Sequence, residues 1–414
     1  MKNKGLLILG LLALALLAGI SAMACSGAIG PAGADGADGA DGADGADGAN
    51  GIVGTAGADG AVGPAGNAAT YVGSDTCAAC HADQAALFEK SGHGYKLNKV
   101  VDGVAPTYPF TEITALPVVD GVQLTWDDIS YVIGGYNWKA RFIDLDGYIY
   151  TGIAGDTTQY NFANPVVGND IGFVAYHAGE QKPYSCGPCH TTGYNPDGHQ
   201  DDLPGMVGTW AEDGIGCEEC HGPGSNHAAS PYGVALKIDR DSEACGDCHL
   251  RGSDTAIDAK GGFIKHHEQY EEIFQSGHLA LDCVDCHDPH AGVIQGRQPE
   301  STVATVNVSC ENCHFNEAEN QASDAMKAEV ECIDCHMPRI VKSAVGDAAA
   351  YTGDIRTHLF AINPAATSQF TDDGKYAISQ IGLDFGCKSC HRTDGESFEI
   401  SDAGLVAEAT GYHE

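Results

Sequence analysis

The pattern of apolar and polar positions divides the chain into segments of different structural character. An apolar run of 16 residues, Gly5–Ile20, follows Lys2 and Lys4 and ends in small residues before Cys25. From Gly27 to Ala68 the pattern changes, because every third residue is Gly over 14 consecutive Gly-x-y triplets. These patterns predict a secretory signal peptide followed by an extended segment with the period of collagen.

A later segment has the alternation that is typical of β structure. Between Val122 and Thr151, β-favouring residues alternate on both sides of an Asp146-Gly147 turn signal. This pattern predicts a small antiparallel hairpin unit within a β-rich insertion at residues 100–176, which we expect to act as scaffolding. Elsewhere the 55 Gly residues and many polar turn signals indicate short helices and irregular loops.

The cysteines carry the strongest chemical signal. Of 17 cysteines, 16 fall into eight copies of Cys-x-x-Cys-His, a motif that attaches c-type haem. Two thiols at this spacing can bond the two vinyl groups of one porphyrin, while the adjacent His ligates the iron. Zinc knuckles or a disulfide framework would not place His after every cysteine pair. The predicted attachment residues are Cys77, Cys80, Cys186, Cys189, Cys217, Cys220, Cys245, Cys248, Cys283, Cys286, Cys310, Cys313, Cys332, Cys335, Cys387 and Cys390. The predicted proximal iron ligands are His81, His190, His221, His249, His287, His314, His336 and His391.

Each motif supplies one axial ligand, so the second axial position decides whether an iron is closed to substrate. Ten of the 18 histidines lie outside the motifs, which is enough to make every iron bis-His. The predicted distal ligands are His93, His177, His199, His227, His266, His278, His290 and His358. His93 and His278 follow a repeated pattern of a helix and then Ser-Gly-His. We expect His267 and His413 to be surface residues.

Charge and the N-terminal region bear on partners and location. The formal net charge of −36 disfavours nucleic acid and anionic lipid as partners. The Gly-x-y segment contains six Asp and no Lys or Arg, which leaves open an acidic stalk or a trimerising collagen rod. Cys25 would begin the mature chain, with either a lipid anchor or a free thiol. The predicted domains are a signal peptide at 1–24, a collagen-like stalk at 25–68 and an octahaem cytochrome domain at 69–414.

Three stretches of sequence resemble a known family. Residues 208–227 read GTWAEDGIGCEECHGPGSNH, residues 129–142 read ISYVIGGYNWKARF, and residues 266–290 contain HHEQYEEIFQSGH followed by CVDCHDPH. Over most of residues 71–340 the chain resembles the bacterial multihaem cytochromes related to the tetrahaem cytochrome that takes electrons from hydroxylamine oxidoreductase. The resemblance also extends to secreted, outer-surface cytochromes of metal-reducing bacteria, some of which polymerise.

The resemblance implies a multihaem cytochrome c fold, in which short helices and irregular loops wrap stacked haems. It also implies that His93, His227 and His278 are distal ligands and that the chain can form a homo-oligomer or filament. We expect eight covalent haems to carry electrons at the outer surface or outside the cell, with redox proteins or extracellular acceptors as partners. This function is expected to be that of a carrier and not an enzyme. An octahaem oxidoreductase acting on nitrogen or sulfur compounds, or a periplasmic shuttle, is the alternative.

Overall fold

Short helices make up most of the regular structure around the Cys-x-x-Cys-His motifs. The computed structural model describes residues 68–253, 255–266, 268–319 and 329–413. The signal peptide, Cys25, the stalk up to residue 67 and His267 lie outside the described residues. The helices are α1 (Ser74–Ala78), α2 (Ala82–Phe88), α3 (Gly187–His190), α4 (Cys217–His221), α5 (Ser225–Ala229), α6 (Ser242–His249), α7 (Gln269–Phe274), α8 (Cys283–Cys286), α9 (Val293–Gly296), α10 (Phe315–Glu319), α11 (Cys332–His336), α12 (Leu383–Gly386) and α13 (Asp402–Ala409). Single turns of 3-10 helix span Trp126–Asp128, Gln200–Asp202 and Cys310–Asn312.

The strands are also short, and most of them belong to two sheets. They are β1 (Leu97–Lys99), β2 (Val118–Val119), β3 (Val122–Gln123), β4 (Tyr131–Gly134), β5 (Lys139–Ile143), β6 (Tyr148–Ile149), β7 (Gln159–Asn161), β8 (Gly172–Val174), β9 (Lys182–Pro183), β10 (Thr191–Thr192), β11 (Glu212–Asp213), β12 (Ile257–Lys260), β13 (Phe263–Lys265), β14 (Val341–Asp347), β15 (Thr352–Ile355) and β16 (Tyr376–Ala377). Strands β2 and β3 pair with each other, as do β10 and β11.

The larger sheet is built on the hairpin that the sequence predicts. Strands β5 and β6 pair antiparallel with Ile143 opposite Ile149, and Gly147 adopts a φ of 89° in the turn between them. The path β1-β4-β5-β6-β9 is extended by β7 and β8 to seven strands. Side chains alternate across β4, so that Tyr131 and Val132 are buried in separate clusters on the two faces. The insertion is therefore larger than the small hairpin unit that was expected.

A second sheet of five strands has no counterpart in the sequence prediction. Its order is β15-β14-β13-β12-β16, and β13 pairs parallel with β14. A buried cluster that includes Ile257, Ile264 and Val341 holds this sheet together. Its strands contain two to seven residues and come from distant parts of the chain, so no local alternation identifies them. Within the described ranges, no helix has the length and apolar character needed to span a membrane.

Candidate haem-binding site

We number the Cys-x-x-Cys-His motifs 1 to 8 in chain order. A helical turn in each motif brings the two cysteines and the histidine to one side of the backbone, because residues i, i+3 and i+4 share a helix face. The backbone N–H of the histidine donates to the carbonyl of the first cysteine at 2.9 Å in motifs 1, 5, 6 and 8. Acidic N-caps begin several of the helices that carry motifs, at Asp241, Asp282 and Glu331.

All sixteen motif cysteines have free thiols and line one continuous cavity of about 4070 Å³. Pockets for single small molecules have volumes of roughly 300–1,000 Å³. The cavity is thus large enough for several porphyrins in contact. Its wall also contains sixteen histidines, which are the eight motif histidines and His93, His177, His227, His266, His278, His290, His358 and His413.

The spacing between histidine rings fits axial ligation of iron. A ligating imidazole nitrogen lies about 2 Å from a metal, so two imidazoles on opposite sides of one metal have ring centres about 6 Å apart. Six motif histidines face a second histidine with ring centres 5.8–6.4 Å apart. The pairs are His81–His227, His249–His93, His221–His290, His314–His278, His287–His358 and His336–His413. These residues fit bis-His ligation of six haems.

The structure places two histidines differently from the expectations drawn from the sequence. His413, expected to be a surface residue, faces His336 at 6.1 Å and is held by a hydrogen bond from its Nδ1 to the carbonyl of Glu317. His199, expected to be a distal ligand, does not line the cavity, and its Nδ1 contacts the carbonyl of Met206 at 2.9 Å. The last residues before His413 carry no helix-then-Ser-Gly-His pattern. His413 is identified as a candidate ligand only because the structure places it next to motif 7.

Two predicted distal ligands, His177 and His266, line the cavity but are not among the six pairs. Among the described residues, no histidine ring faces His190 of motif 2 or His391 of motif 8 at this spacing. These two motifs therefore differ from the other six in the part of the chain that the structure describes.

Serine side chains join motifs in pairs, a feature that the sequence analysis missed. Ser74, three residues before Cys77, accepts a hydrogen bond at its Oγ from the backbone N–H of Cys217 at 3.1 Å. Ser242, three residues before Cys245, accepts the N–H of Cys283 in the same way at 3.0 Å. Each serine also donates its hydroxyl and its backbone N–H to one carboxylate, Glu212 for Ser74 and Asp282 for Ser242. Motif 1 is thus fixed against motif 3, and motif 4 against motif 5. A shared Ser-x-x-Cys-x-x-Cys-His signal was present in the sequence.

Electrostatic interactions between thiols link all eight motifs. The side chains lie close enough to interact in the pairs Cys77–Cys217, Cys189–Cys248, Cys245–Cys283 and Cys310–Cys332. Three further pairs interact through charge alone: Cys220–Cys245, Cys286–Cys313 and Cys335–Cys387. The order of neighbouring motifs is therefore 1-3-4-5-6-7-8, with motif 2 beside motif 4. Motif 4 is the junction of this series, because among these pairs its thiols interact with those of three other motifs.

Four cations line the cavity near motif 2: Lys96, Lys139, Arg141 and Arg251. Among the described residues none of the four forms an ion pair with a carboxylate. Lys139 and Arg141 project from β5, where Lys139 donates to the carbonyl of Ser343 and Arg141 donates to Gln159 at 2.8 Å. The guanidinium of Arg141 also lies 3.8 Å from the centre of the Tyr176 ring. We call these four residues the cationic cluster.

The cationic cluster changes the pKa values of its neighbours. Burial and then the charge of Lys96 lower the pKa of His190 to about 3, and burial and then Lys139 lower the pKa of His266 to about 2. Burial, followed by Arg141, lowers the pKa of Lys139 itself to about 7. Both histidines are therefore neutral at physiological pH, the form in which an imidazole binds a metal. The unpaired cations favour a negatively charged group beside motif 2.

Three acidic side chains are buried on α7, whose residues Gln269, Tyr270 and Ile273 line the cavity. They are Glu268, Glu271 and Glu272, at the start of α7 and within it, and all three are fully buried. Burial and the neighbouring Glu271 raise the pKa of Glu268 to about 9, while Glu271 accepts the backbone N–H groups of Arg251 and Gly252. Glu272 accepts the backbone N–H of His358. Buried carboxyl groups therefore lie beside the histidines of motifs 4 and 5.

Two parts of the chain match known families. Residues 24–72 match the collagen triple helix repeat, and residues 172–222, which include motifs 2 and 3, match cytochrome c554 and c-prime. Over 84% of the chain, the fold is similar to that of an octahaem sulfite reductase, MccA of Wolinella succinogenes, with a TM-score of 0.54 and 18% identity over 68% of that protein. The fold of the chain is that of a multihaem cytochrome. This result confirms the fold class predicted from the sequence, and together with the cytochrome c554 match it supports covalently bound c-type haem.

Two further structures are similar at lower scores. The outer cell wall cytochrome OcwA gives a TM-score of 0.47 at 19% identity, over 81% of this chain and 86% of that protein. An undecahaem cytochrome from the S-layer of Carboxydothermus ferrireducens gives 0.46 at 17% identity, over 82% of this chain and 59% of that protein. The similarity to a sulfite reductase contradicts the expectation of a carrier that is not an enzyme, because a reductase has this fold.

Proposed function

We propose that this multihaem cytochrome c carries electrons through eight covalently bound haems at the outer surface of a cell or outside it. The observation that carries the proposal is the single cavity lined by all sixteen motif cysteines, in which the thiols of successive motifs interact electrostatically. A thioether lies at the edge of its porphyrin, so neighbouring thiols bring porphyrin edges near each other. Electron tunnelling falls exponentially with edge separation, and proximity at every step therefore supports rapid transfer along the whole series.

Axial ligation supports the same function. Paired imidazoles keep the coordination of iron unchanged between its ferric and ferrous forms, so little reorganisation opposes electron transfer. The export signal and the acidic Gly-x-y segment support an exterior location. That segment can separate the haem domain from a surface, whether as a single stalk or as a trimeric rod, and Cys25 is a candidate lipid anchor. Polymerisation into a filament would extend the conducting path.

Protease treatment of intact cells tests the location. Because an exposed haem domain is accessible to external protease, we expect the haem-stained band to disappear from intact cells. A periplasmic haem protein serves as the control and should remain intact until the outer membrane is broken. Full protection of this chain under the same conditions would leave a periplasmic shuttle instead.

The cationic cluster favours a second candidate function, reduction of a small oxyanion at the haem of motif 2. Sulfite is the first compound to test, since a protein of similar fold is a sulfite reductase. His190 is not one of the six paired motif histidines, and Lys96, Lys139, Arg141 and Arg251 line the cavity beside it without an ion pair to any carboxylate of the described residues. The haem would supply electrons at an accessible iron. The cations would attract and orient the anion, and Lys139 could donate a proton to it.

Spectroscopy of the ferric protein tests this second function. Sulfite is expected to change the absorption of one haem, and Lys139→Gln combined with Arg141→Gln should weaken binding at least tenfold through loss of two positive charges. Lys237→Gln is the matched control, because Lys237 lines the same cavity near motif 3 but is paired with Asp239 at 2.5 Å. A fully low-spin protein that does not respond to sulfite would contradict this function.

A further inference from the structure

Several histidines of this chain are oriented by backbone carbonyls. Backbone carbonyls contact the Nδ1 atoms of His221, His227, His336, His391 and His413 at 2.6–3.1 Å. A carbonyl is neutral, and this contact leaves Nε2 directed toward the iron. His358, the partner of His287 in motif 5, has a different environment.

A buried carboxylate lies beside His358. The Oε2 atom of Glu272 accepts the backbone N–H of His358 and lies 3.7 Å from its Nδ1. That distance exceeds the ~2.7–3.2 Å of a hydrogen bond, so the side chains interact as charge and dipole. Glu272 is fully buried, and its Oε1 and the Nδ1 of His358 are both buried without a hydrogen-bond partner. Both atoms are therefore removed from bulk solvent.

The same histidine faces motif 5. Its ring centre lies 6.0 Å from that of His287. The side chain of His358 thus lies between Glu272 and the haem position of motif 5. Its neighbour on α7, Glu271, is held by the backbone of residues 251 and 252 and adds a second acidic group behind it.

We propose that Glu272 is a positioning residue that fixes His358 and lowers the reduction potential of the haem in motif 5. This inference rests on the proposed function, because it requires a haem ligated by His287 and His358. A negative charge near the iron stabilises the ferric state over the ferrous state, which is less positive by one charge. Hydrogen bonding and charge around an axial ligand, together with burial, are recognised controls of haem potential. Motif 5 follows motif 4, the junction, in the series. A haem of low reduction potential in motif 5 would therefore be an uphill step for electrons that pass between motifs 1–4 and motifs 6–8.

The chain supplies a matched control. Glu317 lies 4.0 Å from the Nδ1 of His314 in motif 6, nearly the same geometry as in the Glu272–His358 pair. The two pairs differ in exposure, which is 52% and 50% for His314 and Glu317 but 20% and 0% for His358 and Glu272. Water and salt screen an exposed charge far more than a buried one. Glu317→Gln should therefore leave the potentials almost unchanged.

Spectroelectrochemical titration of the fully loaded protein provides the test. Glu272→Gln is expected to move one reduction step from the low-potential end of the curve to higher potential, while the haem count and the low-spin ferric spectrum are retained. Glu272→Asp keeps the charge and should restore the original curve. A second outcome would also support the proposal. If Glu272→Gln makes one haem high-spin and Glu272→Asp does not, the carboxylate is needed to hold His358 in position.

Two results would overturn the inference. One is an unchanged titration curve in a Glu272→Gln protein with full haem content and low-spin iron. The other is an equal shift in Glu317→Gln, which would show that any lost carboxylate has this effect. A wild-type protein that lacks a low-spin haem at motif 5 would be a different failure, because it would contradict the ligation on which the proposed function depends.

Discussion

Replacing both Cys245 and Cys248 by Ser is expected to divide the electron-transfer path into disconnected parts. The thiols of motif 4 interact electrostatically with those of motifs 2, 3 and 5, so loss of its haem is expected to leave motifs 1 and 3, motif 2, and motifs 5–8 as separate groups. The measurement is voltammetry of protein attached to an electrode through a C-terminal tag. That end lies beside motif 7, because His413 faces His336. At high scan rates the variant should exchange only the charge of the haems in motifs 5–8, whereas the wild type exchanges that of all its haems.

Cys387→Ser with Cys390→Ser is the matched control. It also removes one haem, but motif 8 is at the end of the series and its thiols interact only with those of motif 7 among the described pairs. All remaining haems should still exchange electrons rapidly. Each variant should contain one haem fewer than the wild type, for which we expect eight, and this count verifies that only the intended haem is missing. Equal loss of charge in the two variants would contradict the assignment of motif 4 as the junction.

The second large effect is expected at His413. In His413→Ala the iron of motif 7 loses the imidazole that faces His336, so one haem should change from low spin to high spin or bind a substitute ligand. His199→Ala should leave the spectrum unchanged, because His199 does not line the cavity. Ferric absorption and electron paramagnetic resonance spectra provide the measurement. A spectrum altered by His199→Ala and not by His413→Ala would restore the ligand assignment made from sequence.

The chemistry of the site could be predicted from the sequence because the residues that carry it lie in contiguous motifs. Cys-x-x-Cys-His fixes both attachment and one axial ligand within a single helical turn, so eight positions needed no tertiary information. The hairpin at Asp146-Gly147 was similarly local. The paired positions of His93, His227, His278, His290 and His358 agree with candidates chosen from local context, although ligation itself stays a prediction.

Features that depend on distant residues could not be predicted in the same way. His413 reaches motif 7 from 77 residues away in sequence, and no local pattern indicates that return. The second sheet joins β13 to β14 across a similar separation. His199 is the reverse case, because it was predicted as a distal ligand and its side chain does not line the cavity. The cationic cluster combines residues from β5, the segment before β1 and the end of α6, and so it appears only in three dimensions.

The size of the cavity has a consequence for biogenesis. A volume of about 4070 Å³ lined by cysteines and histidines leaves little apolar side-chain contact at the centre of the chain, and the buried apolar clusters lie in the two sheets instead. Porphyrins must therefore supply most of the interior contacts, and the free energy of folding becomes largely a free energy of cofactor attachment. With the proposed exterior location, the chain would cross the membrane and meet the attachment machinery before it is stable. Iron and haem supply would then limit how much folded protein a cell can accumulate, and chains that miss their haems would be substrates for periplasmic proteases.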